Sequence, residues 1–155
     1  MDKTNTIFFT IDKKVPAEET LLAAAHVART SRMTLTFVQT DDTGTLMDGG
    51  MDAAVNYFKM KGIDLGVMKQ SGNLWSAMRK VCDREKAGLA IVGAEVSPMG
   101  LMGLGGGMSA KVDGFECPIL YLSDTIKWQN PINILMPLDH HSETRQKFTP
   151  VAKWA

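Results

Sequence analysis

Short apolar runs, separated by amphipathic stretches, dominate the hydrophobic pattern of this chain. Five of them have the length and β-forming composition of strands: Thr6–Ile11, Thr34–Thr40, Asp64–Lys69, Leu89–Val92 and Ile119–Ser123. The first, TIFFTI, is almost continuously apolar, which is typical of a parallel strand buried on both faces. The pattern therefore predicts a sheet of five parallel strands.

Helical periodicity occupies the intervals between these runs. The first helix begins near Pro16, because proline suits a first helical turn and two glutamates follow it. The second helix covers Met51–Lys61, the third begins after Ser71 or Asn73, and a short fourth covers Met108–Gly114. Strands that alternate with helices predict an α/β protein, an open doubly wound sheet with helices on both faces. We expect right-handed crossovers and the strand order 3-2-1-4-5.

In that order the first and fourth strands are neighbours, and the strand order reverses between them. Open α/β sheets bind ligands in the crevice at the carboxyl ends of such a strand pair. Asp12 ends the first strand and Gly93 follows the fourth, so both are candidates by position alone. The alternative for Asp12 is a turn or capping role. Its place at the reversal favours ligand binding.

A glycine-rich segment follows the fourth strand. Five of the eight positions in Gly100–Gly107 are glycine, and a short helix and the last strand come after them. A strand, a glycine-rich turn and a helix in this order are typical of a turn that accepts phosphate. The alternative is a flexible crossover that binds nothing. The segment alone does not decide between the two.

The composition excludes several classes of function. The chain has 155 residues, which corresponds to one domain, and its formal net charge is zero. Without a basic block, nucleic-acid binding by phosphate neutralisation has no electrostatic support. No apolar stretch approaches the ~20 residues of a membrane helix, and MDKTNTIFFT lacks the apolar core of a signal peptide. We expect a cytoplasmic protein with no membrane insertion.

The reactive residue types form no recognisable catalytic or metal-binding pattern. Cys82 and Cys117 lack the spacing of a disulfide framework or a metal site, and we expect Cys117 to be a buried, inert thiol. The adjacent His140 and His141 do not converge easily on one ion, so they indicate a solvated turn. The serines have no evident histidine and aspartate partners for nucleophilic catalysis. We therefore predict a protein that has no metal and is not an enzyme, with weak ATP hydrolysis as the alternative.

The end of the chain looks like its beginning. At an offset of 127 residues, Ile7 corresponds to Ile134 and Asp12 to Asp139. This predicts a domain at residues 1–123, a linker at 124–131 and the start of a truncated second unit at 132–155. The alternative is a terminal strand and helix that belong to the first domain.

Residues 4–123 resemble the universal stress protein family. The resemblance rests on Asp12 and on the closing segments IVGAEVSPMGLMGLGGGMSAKV and ECPILYL. The nucleotide-binding branch of that family carries Gly, two residues, Gly, nine residues, Gly, and then Ser or Thr. Gly93 and Gly106 keep the first and third glycines, whereas Val96 and Gly107 replace the second glycine and the hydroxyl residue. The resemblance implies an adenine-nucleotide-alpha-hydrolase-like fold and the N-terminal unit of a tandem member.

The family likeness also implies a ligand, an adenine nucleotide such as ATP or AMP. Valine adds a β-branched side chain where glycine allows close approach, and the lost hydroxyl removes a phosphate donor. Backbone N–H groups near the short helix would still attract an anion. By position, the implied ligand-binding residues are Thr10, Asp12, Gln39, Val92, Gly93, Gly106, Gly107 and Met108.

Two hypotheses of function follow from the resemblance. The first is a stress-response regulatory protein that binds an adenine nucleotide weakly through its altered glycine loop. The second is a member that binds no nucleotide and acts by dimerisation and protein contacts, which the changes at Val96 and Gly107 favour. Family domains pair through the last strand, so we expect a homodimer or higher oligomer formed by the edge strand Ile119–Ser123.

Overall fold

The fold was analysed in a computed structural model, which describes residues 5–44, 46, 48–95, 111, 112, 114–123 and 127–129. The described part of the chain forms five strands and three helices that follow one another as the sequence predicts. Their bounds are β1 Thr6–Ile11, α1 Ala17–Ser31, β2 Thr34–Gln39, α2 Gly50–Met60, β3 Leu65–Lys69, α3 Leu74–Glu85, β4 Leu89–Ala94 and β5 Ile119–Ser123.

All five strands run parallel, in the order β3-β2-β1-β4-β5. The predicted fold class and strand order are therefore confirmed. The strand order reverses between β1 and β4, which are paired from Ile7 opposite Leu89 to Ile11 opposite Gly93. This central pair is the most deeply buried part of the sheet, because every residue of β4 and all but the first of β1 are buried.

Alternation along the strands divides the core into two layers. On one face the Phe9 ring packs against the rings of Phe37 and of Phe58 in α2, at centroid distances of 5.1 Å and 5.9 Å. Helix α1 covers the same face. On the other face Phe8 and Val92 pack against α3. Helices therefore cover both faces, as the continuously apolar central strands require.

Capping chemistry sets the helix starts. Asn73 begins α3, because its side-chain Oδ1 accepts a hydrogen bond of 3.0 Å from the Ser76 N–H. Pro16 precedes α1 in an extended conformation, and Glu18 and Glu19 occupy the first turn as expected. Of the two predicted capping residues for α3, the structure thus selects Asn73.

The predicted linker contacts the first helix. The Trp128 backbone N–H donates to the Glu19 carboxylate, and the indole ring lies 5.8 Å from the His26 ring. Trp128 is also partly buried against the core layer beneath α1. Trp128 therefore packs beside α1.

Several predicted features lie outside the described residues. These are most of the short fourth helix, the glycine-rich segment Gly100–Gly107, the histidines at 140 and 141, and residues 132–155. Among the residues that are described, no helix has both the length and the apolar character needed to cross a membrane.

Candidate ligand-binding crevice

The carboxyl ends of β1 and β4 meet where the strand order reverses. The Asp12 backbone N–H donates a hydrogen bond of 2.8 Å to the Gly93 carbonyl oxygen. The structure thus brings together the two residues that strand order alone predicts as neighbours. In open α/β sheets this is the place where a crevice can accept a ligand.

The Asp12 carboxylate is only partly used by the fold. Its Oδ1 accepts a hydrogen bond of 2.9 Å from the Lys14 N–H, and its carbonyl oxygen accepts one of 3.1 Å from the Val15 N–H. These bonds form the turn that the alternative interpretation predicts. Within the described part of the chain, Oδ2 has no hydrogen-bond partner. The half-buried Asp12 therefore serves the turn and still has an acceptor to offer a ligand.

Three threonine hydroxyls cluster beside Asp12 at the ends of β1 and β2. Thr10 is fully buried, and its Oγ1 lies 3.4 Å from that of Thr43. The Thr43 hydroxyl also lies 3.0 Å from the Thr40 hydroxyl and accepts a 2.8 Å hydrogen bond from the Thr40 N–H. An isolated antiparallel bridge joins Asp12 to Thr43. Thr40–Thr43 is thus a wall of the crevice.

Sequence reasoning missed this wall. One local signal was present, since a threonine hydroxyl can accept a hydrogen bond from the backbone N–H two residues later and so form a turn. The Thr40 Oγ1 does this, accepting from the Asp42 N–H at 3.2 Å. The contact between Thr43 and Thr10 has no such signal, since 33 positions separate them.

Two carboxylates hold the wall against the start of α3. Asp41 Oδ2 accepts a hydrogen bond of 2.8 Å from the Gly72 N–H, and Asp42 Oδ2 accepts one of 3.0 Å from the Leu74 N–H. The Gln70 N–H bonds to the Gln39 carbonyl oxygen at 2.9 Å, which extends the β2–β3 pairing to the edge of the crevice. The half-buried Gln39 therefore lies beside the wall, and this backbone hydrogen bond fixes its position.

The two predicted residues of β4 have structural roles of their own. The Val92 side chain is fully buried in the core layer beneath α3, so only its backbone is available to a ligand. A Cβ built on Gly93 would lie 2.2 Å from Thr20 Oγ1 of α1. Glycine at position 93 is thus required by the approach of the helix, whether or not a ligand binds.

The remaining predicted ligand residues, Gly106, Gly107 and Met108, lie outside the described residues, as does Val96. Their arrangement at the crevice stays a prediction. Within the described ranges, no group of three or more His, Cys, Asp or Glu side chains could hold a metal ion.

The two cysteines meet in the core, which sequence reasoning did not predict. Both are buried and unoxidised, and both lie in the layer beneath α3. A hydrogen bond with the Cys117 thiol, followed by burial and by negative charge on Cys117 and Asp83, raises the pKa of Cys82 far above its usual range. Because only a thiolate is a good nucleophile, the raised pKa disfavours nucleophilic chemistry at Cys82 at neutral pH.

Comparison with solved structures identifies proteins of the same fold. A universal stress protein in complex with cAMP matches with a TM-score of 0.53 and 14% identity, over 77% of this chain and 98% of that chain. A universal stress protein from Archaeoglobus fulgidus in complex with dAMP has the same TM-score and identity, over 78% and 98%. A further structure of an Archaeoglobus fulgidus universal stress protein has a TM-score of 0.55 and 16% identity, over 75% and 91%.

These matches show that the chain has the Rossmann-like, adenine-nucleotide-alpha-hydrolase-like fold of universal stress proteins. Neither a family model nor a curated protein sequence matches the chain.

The contact between Gly93 and Thr20 leads to a first prediction. We expect Gly93→Ala to lower the free energy of unfolding by about 1–3 kcal/mol, because the new methyl group overpacks the α1 interface. Urea denaturation of Gly93→Ala, Thr20→Ala and the double variant measures the coupling. The double variant should be less destabilised than the sum of the single variants. Strictly additive effects would contradict the proposed clash.

The cysteine pair leads to a prediction for alkaline pH. The folded state keeps Cys82 protonated, whereas the unfolded chain releases that proton above about pH 8.5. This contribution to stability is therefore complete below that pH and is lost above it, at up to about 1.4 kcal/mol per pH unit. Urea denaturation from pH 7 to pH 10 measures the slope. Cys82→Ser keeps a hydrogen-bonding group that does not ionise, so its slope should be smaller; equal slopes would refute the assignment.

Proposed function

We propose that this chain is a regulatory binding domain of the universal-stress-protein type that binds an adenine nucleotide weakly. The observation that carries the proposal is the meeting of Asp12 and Gly93 at the reversal of the sheet, joined by a hydrogen bond of 2.8 Å. Neighbours of the same fold, solved with cAMP and with dAMP, support this class of ligand.

The electrostatics of the crevice favour one orientation of such a ligand. Asp12, Asp41 and Asp42 place three carboxylates at this edge of the sheet, two of which are engaged by the start of α3. A phosphate group is repelled by carboxylates, whereas ribose hydroxyls and an amino group can donate to them. We therefore place the nucleoside beside Asp12 and the wall Thr40–Thr43. The phosphate then points away from these carboxylates, and the sequence predicts that the glycine-rich segment after β4 accepts it.

The proposed action is binding, without catalysis. Thr10 and Thr43 are two of the three threonines beside Asp12, and their hydroxyl oxygens lie 3.4 Å apart. A nucleophilic mechanism needs a base within hydrogen-bond distance of the nucleophile, and a third group that orients that base. In the described part of the crevice, the Thr10, Thr40 and Thr43 hydroxyl groups contact one another and backbone N–H groups.

Calorimetry with the full chain tests the proposal. We expect AMP, dAMP and ATP to bind with millimolar or tighter affinity. Ribose 5-phosphate, which lacks the adenine base, should bind more weakly because the base contributes apolar burial. Asp12→Asn keeps the acceptor for the Lys14 N–H but removes the charge that attracts donors, so it should weaken binding about tenfold. Asp48→Asn, at an exposed loop position, removes the same charge and should change affinity less than twofold.

The glycine-rich segment provides a second arm of the same test. Gly106→Val should abolish binding, because its side chain brings bulk to the predicted anion site. A lack of heat and of thermal stabilisation with about 10 mM nucleotide would refute the proposed function.

The second candidate function is dimerisation without nucleotide. It is favoured by the position of β5 at the edge of the described sheet, where Ile119, Leu120 and Tyr121 are only partly buried. Edge strands of a sheet are common sites of pairing between two copies of a chain. The changes at Val96 and Gly107 point in the same direction, since they remove features of the nucleotide loop.

The two edges of the sheet allow a matched test of this candidate. We expect sedimentation to show a dimer that Leu120→Lys on β5 converts to monomer, because a charge within the interface stays unpaired. Val67→Lys introduces the same charge on the other edge strand, β3, where Val67 is 44% exposed, and should leave the dimer intact. A wild-type monomer at about 0.5 mM would contradict an interface of standard size.

A further inference from the structure

A second concave site lies at the amino ends of the strands, opposite the carboxyl ends that form the crevice. It is a cavity of about 390 Å³ between the end of α1, the end of α2 and the starts of β2 and β3. Ligand pockets in proteins range from about 300 to 1,000 Å³, so this one has room for a small metabolite. Because the cavity lies where the parallel strands begin and the crevice lies where they end, a ligand here would not contact Asp12 or Gly93.

The rim of this cavity carries an excess of positive charge. Arg29, Arg32 and Lys61 line it, against the single carboxylate of Asp64. All four residues are exposed, and none forms an ion pair within the described part of the chain. The Lys61 ammonium lies 5.7 Å from the ring centroid of Tyr57. Three cations and one carboxylate therefore line the cavity, and no ion pair joins them within the described part of the chain.

The helix ends do not need these cations as hydrogen-bond caps. At the end of α1 the Met33 N–H donates to the Ala28 carbonyl at 3.1 Å, and at the end of α2 the Ile63 N–H donates to the Phe58 carbonyl at 2.9 Å. Such backbone bonds satisfy the carbonyl groups that a helix otherwise leaves open. The guanidinium and ammonium N–H groups are therefore not needed as hydrogen-bond caps, although their charge also offsets the negative ends of the two helix dipoles.

The lining beneath the cations is mixed, with Thr34 and Gly62 beside the apolar Ala28, Met33 and Ile63. Ala28 and Ile63 are buried at 2% and 7% exposure, and Met33 packs partly buried beside them. A ligand that suits this site thus combines an anionic group with a small organic body. A guanidinium binds phosphate oxygens in pairs, and the net rim charge of three cations and one carboxylate matches a phosphomonoester of about −1.5 to −2 at pH 7.

We propose that this cavity binds a small organic phosphate, with the phosphoryl group between Arg29, Arg32 and Lys61 and the carbon skeleton on Ala28, Met33 and Ile63. The Asp64 carboxylate lies on the same lining and can accept from a hydroxyl group of the ligand. The site is separate from the proposed nucleotide crevice, and neither proposal depends on the other.

Nuclear magnetic resonance of the isotope-labelled full chain tests this site with glycerol 3-phosphate as the probe. We expect saturable shifts of the amide signals of residues 28–34 and 61–64. Inorganic phosphate should shift the same signals with weaker affinity, and uncharged glycerol should not shift them. Arg29→Gln should weaken binding about tenfold, because it removes a charge-assisted hydrogen-bond donor. The matched control is Lys80→Gln, which removes an exposed charge from α3 and should change affinity less than twofold.

Four results would overturn the proposal. They are an absence of saturation by about 20 mM probe, an equal response to glycerol, an equal loss of affinity in both variants, and shifts confined to the signals near Asp12. The amide spectrum of Arg29→Gln shows directly whether the variant folds, so a loss of binding can be separated from a loss of structure.

Discussion

The parallel pairing of β1 with β4 is the constraint on which the rest of this structure depends. It joins residues that are 82 positions apart in the sequence, since Ile7 pairs with Leu89 and Ile11 with Gly93. Both strands are buried on both faces, so each must be covered by helices on either side. The same pairing places Asp12 beside Gly93 and creates the crevice. Core packing and the candidate site therefore have a common cause.

The position of α1 illustrates how closely packing and site are linked. Thr20 approaches β4 so closely that only glycine fits at position 93. A glycine in a family motif is readily assigned to a ligand, yet here the helix already accounts for it. Packing also accounts for Val92, because its side chain belongs to the core beneath α3. Asp12 differs from both, since its carboxylate retains an acceptor beyond the turn that it stabilises.

The carboxyl ends and the amino ends of the strands carry groups of opposite charge. At the carboxyl edge, Asp12, Asp41 and Asp42 present carboxylates among threonine hydroxyls, which suits donors such as ribose and amino groups. At the ends where the strands begin, Arg29, Arg32 and Lys61 line a cavity of mixed polarity, which suits a phosphate. Since strand direction fixes which helix ends and loops meet at each edge, a parallel sheet can keep two such sites apart.

The sequence by itself determined the fold class, the strand order and the neighbourhood of Asp12 and Gly93, because continuous apolar runs such as Thr6–Ile11 and helical spacing are local signals, and crossover rules leave few topologies. Only the tertiary structure decided which distant side chains meet. Thr10 with Thr43, Thr20 with Gly93, and Cys82 with Cys117 are contacts across elements. No spacing along the chain encodes them, since they depend on helix position and sheet register, which packing fixes only in the folded molecule.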